Sequence, residues 1–225
     1  MLSVDALPAS ASDAGWQFLT EEKRAKLLRF RREEDRQRGL WAELLLRSIV
    51  CNQLGIANRS IAFVTNAYGK PQLATDVGLH FNVSHSGRWV VCLTDELPVG
   101  VDVEKHAPFD PKIAHSFFTE AEVRFLEEPA HPEERQHRFF QLWTAKESCI
   151  KAVGKGLSLP LHSFSVVPAI SSDGLGFVDV EGGTWQLREP SLDLGYSFTV
   201  CCKPQAVWNG AEQVTAETIL TQLKA

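Results

Sequence analysis

Two spacings of apolar residues organise this chain. In residues 33–54, Leu40, Trp41, Leu44, Leu45, Ile49 and Leu54 recur mostly every three or four positions, and Gly55 follows. That pattern predicts a long amphipathic helix with a glycine stop. A second long helix is predicted over 133–153, ended by Gly154. Thr20 can cap a helix over 21–30, whose first turn holds Glu21 and Glu22 where the helix dipole favours acids. Residues 112–118 read as a short helix. Thr119-Glu120-Ala121-Glu122 is a capping box for another over 120–127. A last helix is placed at 214–223, and the small residues of 8–15 read as a loop.

Between these lie short stretches with a period of two. Strands are predicted at 3–6, 61–65, 79–83, 88–94, 99–104, 164–167, 177–180, 184–187 and 196–202. Turn chemistry separates them at 68–71, 84–87, 172–174 and 181–183. The strands between 79 and 104 read as an antiparallel meander. Helices followed by strands, twice over, define an α+β fold of two comparable halves, 1–99 and 100–225.

Composition limits the function. At 225 residues, 44% hydrophobic and 23% charged, the chain has enough apolar mass for one large domain or two smaller ones. No apolar run approaches the ~20 residues that cross a bilayer. The first twelve residues lack the basic and apolar regions of a secretory signal. The five cysteines include no Cys-x-x-Cys pair. That argues for a reducing compartment, read as cytoplasmic, and against zinc or a disulfide framework. A net charge of −5 argues against nucleic acid as a partner. Against that acidic background Lys23, Arg24, Lys26, Arg29, Arg31, Arg32, Arg36 and Arg38 crowd into one segment, opposed only by Glu33, Glu34 and Asp35. A localised anion site is expected there.

Candidate chemistry sits on two elements. In the strand Val99-Gly100-Val101-Asp102-Val103-Glu104-Lys105, side chains alternate, so Asp102 and Glu104 share one face, ~7 Å apart. On the helix over 133–153, Lys146, Glu147 and Lys151 interrupt an apolar run, and Glu147 and Lys151 are one turn apart. If Asp102, Glu104 and Glu147 converge, their mutual repulsion calls for a cation. An all-oxygen donor set points to Mg²⁺ first, then Mn²⁺ or Ca²⁺. Mg²⁺ prefers a few carboxylates plus phosphate oxygens, which implies a phosphate-bearing substrate. Ser84 and His85, at a strand end, can donate to phosphate. A Ser-His-Asp hydrolase site is excluded, because Ser86 and His85 are adjacent and no Gly-x-Ser-x-Gly elbow exists. The Gly154-Lys155-Gly156-Leu157-Ser158 stretch lacks P-loop spacing.

In order and spacing, four segments together resemble the Sfp-type 4′-phosphopantetheinyl transferases. They are Tyr68-Gly69-Lys70-Pro71, Phe81-Asn82-Val83-Ser84-His85-Ser86, Gly100-Val101-Asp102-Val103-Glu104, and Trp143-Thr144-Ala145-Lys146-Glu147-Ser148 with Lys151. Lys155-Gly156-Leu157-Ser158 follows as that family has it. The resemblance spans residues 20–202.

It implies two similar subdomains related by a pseudo-twofold axis in a monomer, with the site between them. It implies transfer of the 4′-phosphopantetheine arm of coenzyme A to a serine of an acyl or peptidyl carrier protein, giving 3′,5′-ADP. Asp102, Glu104 and Glu147 would hold Mg²⁺, with Glu147 as the base, directly or through water. Lys151 would contact the pyrophosphate and stabilise the leaving phosphate. Ser84 and His85 would bind phosphate, Lys23 and Lys26 the 3′-phosphate, and Tyr68, Gly69, Lys70 and Pro71 the adenine. Gly39 departs from the family, which often places a hydroxyl there. The carrier is expected to dock on residues 112–126, through Lys112, Phe117, Phe118, Arg124 and Phe125. The competing readings are a non-catalytic coenzyme A-binding module and a carrier-binding scaffold.

Overall fold

A computed structural model describes residues 1–5, 7–170 and 175–224. The first half contains β1 (Leu2–Ser3), α1 (Ala9–Gly15), α2 (Glu21–Leu27), α3 (Glu33–Leu54), β2 (Phe63–Thr65), β3 (Pro71–Leu73), β4 (His80–Ser86) and β5 (Trp89–Asp95). The second contains β6 (Gly100–Lys105), α4 (Pro111–Phe117), α5 (Glu120–Glu127), α6 (Pro132–Val153), β7 (Leu175–Val180), β8 (Gly183–Arg188), β9 (Tyr196–Cys202) and α7 (Ala216–Lys224). This is an α+β fold. No helix among the described residues is long and apolar enough to cross a membrane.

The long helices α3 and α6 have 22 residues each. Each ends at a left-handed glycine, Gly55 at φ 64° and Gly154 at φ 82°, a conformation that costs glycine little. α3 packs with β4 and β5, the core there being Leu40, Trp41, Leu44, Leu45, Phe81 and Val90. α7 crosses back from the end of the chain to this same core, adding Ile219 and Leu223. α6 packs on β6 and β9 around Leu142, Ala145, Cys149, Ile150 and Cys201. Here Gly100 is required by close approach: a Cβ on it would lie 2.0 Å from the Ser148 carbonyl oxygen. A third apolar cluster, formed by Trp89 and Val91 of β5, Val101 and Val103 of β6, and Phe198 and Val200 of β9, joins the two halves.

The strands form sheets ordered β1-β5-β4, β2-β3 and β6-β9-β8-β7. The expected meander therefore stops after β4 and β5. β6 turns its main chain to β9 instead, with Asp102 opposite Thr199 and Glu104 opposite Ser197. Its remaining amides, those of Val101, Val103 and Lys105, are taken by side chains of β4. Likewise the expected turn at 84–87 begins later, because β4 continues to Ser86 and pairs with β5 through that residue.

Two further expectations yield to packing. Residues 8–15 are mostly helix rather than loop. Alanine favours helix, and small residues let α1 lie against α3, where Ser12 donates to Gln37 and accepts from the Trp41 indole. Residues 164–167 do not form a strand. Their main chain is engaged by a buried ion pair: Val166 N–H donates to Glu122 Oε1, and Lys146 Nζ donates to the Leu161 and Phe164 carbonyls. The helix expected over 21–30 ends at Leu27. The capping box of α5 forms as expected. Glu181 and Gly182, both at positive φ, make the tight β7–β8 hairpin turn. The turn expected at 172–174 lies outside the described residues.

Candidate active site

The edge of β4, the start of β6 and the C-terminal third of α6 meet where the halves join. Asp102, on β6, is buried at 2% exposure. Its Oδ1 accepts from Ser84 Oγ at 2.8 Å and from Lys151 Nζ at 2.5 Å. Its Oδ2 is buried with no hydrogen-bond partner among the described residues. Two residues on, Glu104 Oε2 accepts from Ser86 Oγ at 2.7 Å. Glu147 is half-buried on α6, one turn before Lys151.

Electrostatics tie these groups together. Burial raises the pKa of Asp102, while Lys151 and Ser84 pull it back. Burial also raises the Glu104 carboxyl, and the Asp102 charge adds to that. For Glu147 burial is again the main cause, opposed by Lys151 and reinforced by Asp102 and Glu104. Asp102 thus raises the pKa of both glutamates, and Lys151 is the one ammonium that opposes all three shifts, so the cluster is short of positive charge. Among the described residues no three His, Cys, Asp or Glu side chains already close into a metal cage. The donors present are instead an incomplete oxygen set with one free, buried carboxylate oxygen.

His85 follows Ser84 on β4 and is exposed. Its pKa is lowered by desolvation and by the neighbouring Arg38 and Lys151 cations, so at neutral pH it is a neutral donor and acceptor. Arg38 is held by Asp35 and the Gly87 carbonyl. At Gly39, where a hydroxyl residue was expected, a Cβ would come within 2.7 Å of Leu27 Cδ2 on α2, so a side chain there requires that leucine to shift.

The remaining expected site residues divide. Lys26 on α2 is exposed. Lys23 pairs with Glu43 at 2.8 Å, and Glu43 also accepts from Arg47. Tyr68 is exposed at 52%. Gly69 takes φ 85° in a turn closed by Asn66, whose Oδ1 accepts from the Tyr68 and Lys70 amides. Pro71 then opens β3. The Lys70 ammonium points away from solvent into the end of α6, donating to the carbonyls of Val99 at 3.0 Å and Ala152 at 3.4 Å. Asn66 Nδ2 reaches the Gly154 carbonyl at 2.8 Å. The turn is thereby fastened across the junction to a helix C-terminus, where a cation is favoured.

That burial lowers the Lys70 pKa to about 8. The unfolded chain keeps the proton up to its ordinary value near 10.4. The burial cost is therefore fully present below pH about 8, and it fades as pH rises from there towards the unfolded value. Relative to a Lys70→Met variant, the wild-type protein is expected to gain stability between pH 7 and pH 10. Urea unfolding of both proteins across that range checks it, and a difference that does not change with pH would refute it.

Of the residues expected to form a docking face, Lys112, Phe117 and Arg124 are exposed. Phe118 is not: it is buried at 5% exposure against Phe139, because its place at the α4–α5 corner points it into the second core. Phe125 is half-buried beneath the Arg138 guanidinium, 4.3 Å from the ring centre. Sequence reasoning missed Asn82 and Ser86, although their period-two spacing with Ser84 matched that of Asp102 and Glu104. It also read Glu122 only as a cap, whereas it is the buried partner of Lys146 at 2.9 Å.

Comparison with known proteins shows the family. Residues 98–201 match the 4′-phosphopantetheinyl transferase superfamily, and residues 10–97 match the family described as 4′-phosphopantetheinyl transferase, N-terminal. A 4′-phosphopantetheinyl transferase of Bacillus subtilis is 38% identical over 95% of this chain and 95% of its own. The 4′-phosphopantetheinyl transferase Sfp of Bacillus subtilis strain 168 is 40% identical over 82% of each chain. The 4′-phosphopantetheinyl transferase psf-1 of Bacillus pumilus is 39% identical, over 92% of this chain and 88% of its own. The chain belongs to the 4′-phosphopantetheinyl transferase superfamily. Within it, the similarity runs to the Sfp-type transferases along most of the chain's length.

Proposed function

We propose that the cleft transfers the 4′-phosphopantetheine arm of coenzyme A to a serine of an apo acyl or peptidyl carrier protein. The carrier serine oxygen attacks the pantetheine-bearing phosphorus of the pyrophosphate, the bond from that phosphorus to the bridging oxygen breaks, and 3′,5′-ADP leaves. The observation that carries this reading is the meeting of Ser84, Asp102 and Lys151 across β4, β6 and α6, with Asp102 Oδ2 left open.

Displacement at a pyrophosphate needs positioning and charge neutralisation more than covalent help. Lys151 supplies one positive charge beside the carboxylates. Ser84 and the neutral His85 supply donors at the same edge. Lys26 suits the 3′-phosphate, and the exposed turn of residues 68–71 suits the adenine. Lys23 would reach a phosphate by sharing its charge with Glu43. Glu147 suits the proton released by the carrier serine, taken directly or through a water. Asp102, Glu104 and Glu147 would hold Mg²⁺, with Mn²⁺ as a substitute; the open Asp102 oxygen and the all-oxygen donor set fit such an ion. When bound, it would neutralise the charge of the pyrophosphate and of the leaving phosphate.

The division at 99/100 puts the phosphate and adenine groups on the first subdomain and the carboxylates on the second. The equal lengths of α3 and α6 and their matching glycine ends support a pseudo-twofold relation. No group named requires a second copy of the chain, so the enzyme is taken to act as a monomer. Lys112, Phe117 and Arg124 offer a basic, partly apolar face to an acidic carrier. Charge reversal at Lys112 and Arg124 is expected to raise the KM for carrier several-fold and leave the KM for coenzyme A unchanged; an unchanged carrier KM would count against that face.

The reaction itself is tested by mixing the protein with apo-carriers, coenzyme A and Mg²⁺ and weighing the carriers by mass spectrometry. A phosphopantetheine adduct on the carrier serine is expected. Its absence on a panel of acyl and peptidyl carriers would defeat the reading.

A further inference from the structure

The join between β4 and β6 is unusual in its chemistry. The two strands lie side by side but belong to different sheets, and no backbone ladder links them. Side chains of β4 take the ladder's place. Asn82 Oδ1 accepts from Val101 N–H at 2.7 Å, Ser84 Oγ from Val103 N–H at 3.4 Å, and Ser86 Oγ from Lys105 N–H at 3.0 Å. Each step of two along β4 matches a step of two along β6.

The two serines do more than the asparagine. Each accepts from the amide that follows a carboxylate residue and donates its own hydroxyl back to that carboxylate. Ser84 grips Asp102 in this way at 2.8 Å, and Ser86 grips Glu104 at 2.7 Å. Asn82 stands opposite Gly100, which has no side chain to hold and no room for one. The hydroxyl proton and lone pairs of each serine are therefore used to fix both a strand and the carboxylate that strand carries.

We infer that Ser86 is a positioning residue of the transfer site: by holding the Lys105 amide and the Glu104 carboxylate together, it aims Glu104 into the cleft from the opposite subdomain. This rests on the proposed metal-binding role of Glu104 and goes beyond it in naming what orients that ligand. The Glu104 carboxylate is half-buried, and Ser86 is its hydrogen-bond partner among the described residues. Without the hydroxyl, the side chain gains rotamers that point elsewhere, and each binding event must pay to select the right one. Loss of an oriented ligand's outer partner lowers metal affinity by about 10–100-fold.

The test is Mn²⁺ binding in the presence of coenzyme A, read from the electron paramagnetic resonance signal of free Mn²⁺. Wild-type protein is compared with Ser86→Ala, Ser86→Thr and Asn82→Ala, and a thermal melt accompanies each. Ser86→Ala is expected to weaken Mn²⁺ binding by about 10–100-fold. Ser86→Thr, which keeps the hydroxyl, is expected to restore most of it. Asn82→Ala removes a stitch that holds no carboxylate, so it is expected to lower the melting temperature and leave Mn²⁺ affinity unchanged. Wild-type Mn²⁺ affinity in Ser86→Ala, with or without a lower melting temperature, overturns the inference alone. So does an equal loss in Asn82→Ala, which would assign the effect to the seam as a whole. Failure of the wild-type protein to bind Mn²⁺ overturns the metal reading and this inference together.

Discussion

Glutamine in place of Glu147 is expected to lower kcat for phosphopantetheine transfer by about 10²–10⁴-fold, the range that a positioned general base contributes. The substitution keeps the size of the side chain and removes its charge and basicity. Coenzyme A binding, measured by isothermal titration, should survive, because Lys151, Ser84, His85 and Lys26 are untouched. Stability should not fall. Glu147 is half-buried and its pKa is raised, by burial first and by Asp102 and Glu104 after it, so the folded protein bears a cost for its charge at neutral pH. A neutral amide relieves that cost. The signature is thus a collapse of kcat with an equal or higher melting temperature. Full activity in the variant would refute the role, and parallel loss of coenzyme A binding would assign the effect to the metal-holding role of Glu147 and not to a base.

Methionine in place of Lys146 is expected to cost about 3–5 kcal/mol of folding stability, the usual penalty for breaking a buried ion pair from one side. Lys146 and Glu122 are both at 0% exposure. The ammonium donates to Glu122 and to the Leu161 and Phe164 carbonyls and lies 4.4 Å over the Phe164 ring. Glu122 also accepts from the Thr119 and Val166 amides. Removing the lysine leaves a buried carboxylate with amides alone and frees two carbonyls. For a chain of this size the melting temperature should drop by about 6–20 °C, at about 2–4 °C per kcal/mol. The double variant Lys146→Met/Glu122→Gln should recover part of the loss, because no buried charge is then left without a partner. Urea unfolding of the two single variants and the double variant measures this coupling. A loss under about 1 kcal/mol in Lys146→Met would show that the pair contributes little. The site should suffer along with the fold, since Lys146 adjoins Glu147 and anchors the segment that follows α6.

α3 and α5 begin and end where spacing, capping box and glycine stop placed them, because those signals are local and act within a few residues. α6 and β9 follow for the same reason. The shared faces of the candidate site residues were legible too. Asp102 and Glu104 share a strand face by the period of two. Glu147 and Lys151 share a helix face by the period of 3.6, set in a run too apolar to carry charge without cause.

What the sequence left undetermined depended on groups far apart along the chain. Whether β6 would pair with β5 or β9 was settled by which partner satisfied its amides. The answer, side chains of β4 on one edge and β9 on the other, has no local signal. Residues 164–167 look like a strand until the buried pair of Glu122 and Lys146 takes their main-chain groups. Phe118 looks like its exposed neighbour Phe117 until the α4–α5 corner turns it inward. Lys70 belongs to a turn motif, yet its ammonium is spent on the end of α6. Local periodicity thus fixed which residues share a face. Only the tertiary structure decided which faces meet, because a buried polar group takes the partner that folding brings to it, at whatever distance along the chain.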